Sequence, residues 1–175
     1  MGEARPNANR VKLIVGLLAA DVDKFIEVKK SLQREFGRID FESPVLDFAH
    51  TEYYKEEIGG SLKRQFFSFQ RRLALRGIYK VKLRTNLIER RFSKSERRTV
   101  NIDPGYLDLS KVVLFSTKDY SHRIYLDKGI YAEVTLFYKD KTFNPWPWTY
   151  PDYKTDTYIG MFNSMRELYK KELSG

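Results

Sequence analysis

The spacing of apolar residues changes several times along this chain, and each change predicts a new element. "KLIVGLLAA" (Lys12 to Ala20) is a continuous aliphatic run suited to a buried strand, and Asp21 after it offers a helix N-cap. Phe25, Val28, Leu32 and Phe36 then recur at helical spacing, and Gly37 supplies a stop. "IDFESPVLDF" alternates around Pro44 and predicts an edge or bulged strand. A polar loop, "HTEYYKEEIGG", separates it from "LKRQFFSFQ", read as a further strand, although so short a run is also compatible with a helix. From Leu73 to Ser93 the period is helical again. Ile78, Val81, Thr85, Ile88 and Phe92 share one sector, and Arg76, Lys80, Arg84 and Arg91 share the opposite one.

The remaining third is richer in turn signals. "RTVNI" predicts a strand, Asp103-Pro104-Gly105 a turn, and Asp108 a cap, with residues 108–118 compatible with either helix or strand. "SHRIYLDKGIYAEVTLFY" (Ser121 to Tyr138) is a hairpin around a three-residue Asp127-Lys128-Gly129 loop, which pairs Leu126 with Ile130. That register puts His122, Ile124, Ala132 and Val134 on an aliphatic face, and Arg123 opposite Glu133 and Tyr125 opposite Tyr131 on the other. Proline and aromatic residues alternate in "FNPWPWTYPDY", a stiff extended segment that is either a strap over the core or a stacking platform. A last helix runs from Asp156 to Leu173, with Tyr158, Ile159, Phe162, Met165 and Leu168 as its docking face. Together these predict a single α+β sandwich over residues 11–175, in ferredoxin-like β-α-β-β-α-β order with a C-terminal hairpin and helix. Residues 1–10 read as a disordered tail without signal-peptide character.

Composition narrows the chemistry. The chain contains no cysteine, which excludes disulfides, thiolate metal sites and cysteine nucleophiles, and its two histidines, His50 and His122, supply little for a histidine metal centre. No metal site is expected. The longest apolar run falls well short of the about twenty residues needed to cross a bilayer, so no membrane partner is expected. Abundant Lys, Arg and Glu beside few Asn and Gln suits a heat-adapted cytoplasmic protein.

The net charge of +9 is concentrated. Thirteen Lys or Arg residues between Lys63 and Arg98 face only Glu89 and Glu96, which leaves the rest of the chain at −2. A basic block of this kind favours an anionic partner, with RNA or a nucleotide the natural candidates. Arg76, Lys80, Arg84 and Arg91 are the expected nucleic-acid contacts. Arg84, Arg123, Tyr125, Tyr131, Trp146 and Trp148 are the expected contacts of a planar anionic ligand. The alternative is a small enzyme acting on an anionic metabolite, with arginine clamps and His122, Glu133 or Asp103 transferring protons. Neither the P-loop nor the G-x-G-x-x-G pattern occurs, so no standard nucleotide cradle is expected, and no cofactor or oligomeric state is implied.

At "KLIVGLLA", "KLRTN", "NIDPGYLDLSK", "KDYSHRIYLDKGIYAEV" and "PWPWTYPDY" the chain resembles a prokaryotic family named only as domain of unknown function 4416. The resemblance spans nearly the whole chain. It implies a single-domain bacterial or archaeal cytoplasmic protein and carries no activity or catalytic residue with it.

Overall fold

A computed structural model describes residues 10–48, 61–93 and 98–174; His50, the polar loop around it and nearly all of the N-terminal tail lie outside them. Among the described residues, nine strands form one antiparallel sheet with helices on both faces. The elements are β1 (Arg10–Ala19), α1 (Asp23–Phe36), β2 (Ile39–Glu42), β3 (Leu46–Asp47), β4 (Lys63–Ala74) and α2 (Lys80–Arg91). They continue as β5 (Val100–Leu107), β6 (Lys111–Ser116), β7 (Ile124–Asp127), β8 (Ile130–Lys139), β9 (Thr142–Pro145) and α3 (Asp156–Ser174), with a 3-10 turn, Pro151–Lys154, before α3. Strand order is β2-β4-β1-β5-β6-β8-β7; β3 pairs with β4, and β9 with β8.

The aliphatic run of β1 is continuous because the strand is central, between β4 and β5, and covered on both faces. Leu13, Val15 and Leu17 meet Phe25, Val28, Leu32 and Phe36 of α1 in one core, together with Val81 and Ile88 of α2. On the opposite face Ile14 and Phe66 pack under α3, where Phe66 meets Tyr158 and Phe162 edge-on at 4.7 and 5.3 Å. α1 begins as its spacing predicts, with Asp21 Oδ1 accepting the Asp23 N–H at 2.9 Å, and ends at Gly37, whose φ of 98° suits glycine. β2 and β3 are the two short edge pieces on either side of Pro44.

Four local expectations are corrected. Asp103-Pro104-Gly105 is not a turn: it lies within β5, where Pro104 pairs with Val15 and Gly105 with Ile14. The ambiguous stretch is a strand, and Asp108 shapes the β5–β6 hairpin turn by accepting the Ser110 and Lys111 N–H groups. β4 runs through Leu73 and Ala74, so α2 starts only at Lys80 and Arg76 lies in the turn before it. The β7–β8 loop has two residues, Lys128 and Gly129, both at positive φ; Asp127 pairs with Ile130 and Leu126 is bulged. Tyr125 still faces Tyr131, and Ile124 faces Ala132. Ile124, however, is 72% exposed, because β7 is the outermost strand, past the cover of the helices.

Candidate functional site

β5 and β6 are hydrogen-bonded only along Gly105–Leu107 and Val112–Leu114, beyond which the two strands part. Residues 100–104 of β5 stay beside β1, while β6 follows β8. Sequence explains where the sheet opens. Pro104 has no N–H to offer a neighbouring strand. In the open stretch the Ile102 N–H donates to Glu89 Oε1 at 2.6 Å, and its carbonyl accepts from Lys82 Nζ at 2.9 Å. Two buried side chains of α2 thus satisfy the backbone of β5 where a strand is missing. Burial pushes the Glu89 carboxyl above its ordinary range, with the Lys82 charge and the Ile102 N–H partly offsetting it.

The split encloses a cavity of about 220 Å³. Arg64, Lys82, Arg98, Lys118 and Arg123 line it with positive charge, and Asp103, Glu133 and Asp152 with negative charge. Even with the nearby Glu89 counted, the wall remains net positive. Arg64 is the innermost cation: its Nη1 donates to Asp103 Oδ2 at 2.9 Å, its Nη2 lies 3.6 Å from Asp152, and its guanidinium sits over the Phe48 ring at 5.0 Å. Five buried side-chain polar atoms among the described residues lack a hydrogen-bond partner, and three of them belong to residues of this wall: Arg64 Nε, Asn101 Nδ2 and Tyr153 Oη. Asn101 stands close enough to Asp103 to help hold its carboxyl down. Burial raises the Tyr153 phenol well above its ordinary value, so it stays neutral and able to donate.

The outer wall comes from the hairpin and the proline-rich segment. Arg123 donates from Nε to Glu133 Oε2 (2.8 Å), from Nη1 to the Lys118 carbonyl (2.9 Å) and from Nη2 to Tyr150 Oη (2.7 Å). His122 Nε2 lies 3.2 Å from the same Glu133 oxygen. Trp148 Nε1 donates to the Val134 carbonyl, and Thr149 Oγ1 to the Thr135 carbonyl, which clamps the stiff segment along β8 and leaves Glu133 only 3% exposed. The polar face of the hairpin is therefore partly covered rather than simply solvated.

The residues expected from sequence separate into three places. Arg123, Glu133 and Asp103 come together at the cavity. His122 does not lie among aliphatic side chains; it touches Glu133 and stacks on Trp148 at 5.6 Å, and Trp148 in turn stacks on Trp146 at 5.1 Å. These rings, and the exposed Tyr125 packed edge-on against Tyr131, lie outside the cavity lining. Arg76, Lys80, Arg84 and Arg91 are exposed on the far side of α2 or just before it, with Arg84 paired to Glu35 of α1 at 2.9 Å. Arg84 and Arg123 thus do not form one clamp.

Arg64, Lys82, Asn101, Asp152 and Tyr153 are the functional candidates that sequence reading missed. Two carried a signal. Lys82 and Glu89 fall within roughly 40° of Ile78 on a helical projection, which places them with the apolar sector. Arg64 precedes Phe66 and Ser68 by the strand period, so all three share a face. Among the described residues no group of three or more His, Asp or Glu side chains is placed to hold a metal ion, and no helix is long and apolar enough to cross a membrane.

Acid should act on the site through Asp103. Burial alone would raise its carboxyl, but the charges of Arg64 and Lys82 and the Arg64 hydrogen bond outweigh that and hold it below the ordinary 3.8. A carboxyl depressed on folding contributes its stability in full above the unfolded value and loses it as the pH falls through the folded one. The expected result is that Asp103→Asn is less stable than wild type at neutral pH, and that the difference closes only below about pH 4, measured as urea midpoints against pH.

A family model described as Domain of unknown function (DUF4416) matches residues 9–169, and the chain belongs to that family. No curated protein and no solved structure matches it.

Proposed function

We propose that this family member is a binding domain for a small oxyanionic ligand, one bearing phosphate or carboxylate, which it takes into the split between β5 and β6. The observation that carries this reading is that three residues lining one net-positive cavity, Arg64, Asn101 and Tyr153, each hold a buried polar atom (Nε, Nδ2 and Oη) without a hydrogen-bond partner among the described residues. Leaving such a group unbonded costs about 1–3 kcal/mol. Each can donate a hydrogen bond, so the complementary ligand group is an acceptor rich in oxygen. Phosphate and carboxylate meet that need and also balance the charge of the wall. The cavity is smaller than the roughly 300–1,000 Å³ of drug-sized sites, which favours a compact metabolite over a nucleic-acid chain. RNA would instead have to meet the outer face of α2, where Arg84 already has Glu35 as a partner.

We read the scaffold of this site as a ferredoxin-like sandwich extended at one edge. The antiparallel order β2-β4-β1-β5, with α1 and α2 on one face, supports that reading, and β6 to β9 would be the addition that creates the cleft.

Tyr153→Phe tests the function without threatening the fold, because it deletes a hydroxyl that has no hydrogen-bond partner among the described residues. The expected result is a variant at least as stable as wild type, but with phosphate-dependent stabilisation weakened about tenfold in apparent affinity. Thermal unfolding of both proteins across millimolar phosphate and succinate measures this. Wild type whose melting temperature ignores both anions would overturn the proposal.

A further inference from the structure

We infer that the ligand of this cleft carries a protonated amino group as well as an oxyanion, the ammonium being received by Asp103 and Glu133. This deepens the oxyanion reading and rests on it. The wall is not uniformly basic. A plain anion entering between Arg64 and Arg123 would also face the carboxylates of Asp103, Glu133 and Asp152. Asp103 gives Oδ2 to Arg64, and its side chain is 26% exposed. Glu133 gives Oε2 to Arg123 and His122, and Oε1 receives the Thr135 hydroxyl at 3.3 Å.

The two carboxylates border the same region. Asp103, Glu133 and Tyr150, whose hydroxyl accepts from Arg123 Nη2, all line the one cavity. The cavity that these carboxylates line is also lined by Arg64, Asn101 and Tyr153, the residues that hold the unpartnered donors toward which an oxyanion would be drawn. Asp103 is held ionised by Arg64 and Lys82, and a fixed negative charge receives an ammonium more strongly than a hydroxyl. A small zwitterionic or amino-bearing anion matches both ends.

Calorimetric titration of the full chain with inorganic phosphate, glycerol 1-phosphate and O-phosphoethanolamine tests this, using wild type and Asp103→Asn. Asparagine keeps an oxygen for Arg64 but removes the charge. Wild type is expected to bind O-phosphoethanolamine about tenfold more tightly than glycerol 1-phosphate. Asp103→Asn should bring the two within about twofold. Equal affinities in wild type, or a preference that survives in a folded Asp103→Asn, would overturn the inference and leave the oxyanion reading standing. If none of the three phosphates binds wild type, the oxyanion reading falls and takes this inference with it. The wild-type comparison decides the matter even if the variant does not fold.

Discussion

Replacing Gly105 by alanine is expected to destabilise the protein by about 3 kcal/mol or more, at or beyond the upper end of ordinary overpacking. A Cβ at this position would lie 2.2 Å from the Val113 carbonyl oxygen and 2.9 Å from Leu114 Cδ2. The closer contact is backbone, so no side-chain rotation relieves it. Gly105 pairs with Leu114 at the last step of the β5–β6 ladder, and the two strands can separate there only by losing hydrogen bonds. Guanidinium or urea unfolding gives the stability loss, and phosphate titration of the variant reports on the cleft that begins at this junction. Gly160 provides the contrasting control. It lies in α3, and a Cβ there would meet nothing within 4 Å, so Gly160→Ala should stabilise by about 0.5–1 kcal/mol through helix propensity alone. Equal small effects at both glycines would refute the close-approach argument.

Lys12→Met is expected to cost about 3 kcal/mol, toward the low end for breaking a buried ion pair. Lys12 is fully buried at the start of β1, with Asp40 Oδ2 at 2.5 Å and Glu172 Oε1 at 2.6 Å. Methionine fills the space but leaves two carboxylates facing each other without a cation. The cost stays near the low end because Asp40 and Glu172 still reach water. For a chain of this size it corresponds to a fall of roughly 6–12 °C in melting temperature. Adding Asp40→Asn and Glu172→Gln should recover most of the loss, since a neutral substitute for a whole buried ionic group is often nearly neutral in stability. A triple variant as unstable as the single one would mean that Lys12 acts through packing rather than charge. The cleft lies elsewhere, so the folded variant should keep its anion affinity.

The contrast between Lys12 and Arg64 explains much of what sequence reading could and could not reach. Both are charged residues in strands that otherwise read as core, and neither charge signals its own burial, because a basic side chain is by default a surface group. What buries them is a set of carboxylates far away in the chain: Asp103 lies 39 residues from Arg64, and Glu172 lies 160 residues from Lys12. Periodicity is blind to such separations. It did identify Arg123 with Glu133, because a hairpin makes long-range pairing nearly local, and the side chains meet at 2.8 Å. The same hairpin shows the limit of that method, since one bulge at Leu126 altered the expected pairing beside the turn.

Asp103-Pro104-Gly105 is the plainest instance of tertiary context overriding local preference. Taken alone the tripeptide is turn chemistry; pairing with β1 extends it into a strand, and Pro104 is tolerated because among the described residues no strand neighbours it on the other side of β5. Sequence alone determined the buried β1, the amphipathic α1 and α3, and the positive φ at Gly129, because 3.6-residue and two-residue periods and glycine's conformational freedom follow from local backbone geometry. Only the tertiary structure decided that the sheet opens between β5 and β6, that Lys82 and Glu89 find the open backbone of β5 as their partner, and that Arg64, Asp103, Arg123 and Glu133 surround the opening. Those outcomes depend on which strands become neighbours, and that is set by packing across the whole chain rather than by any window within it.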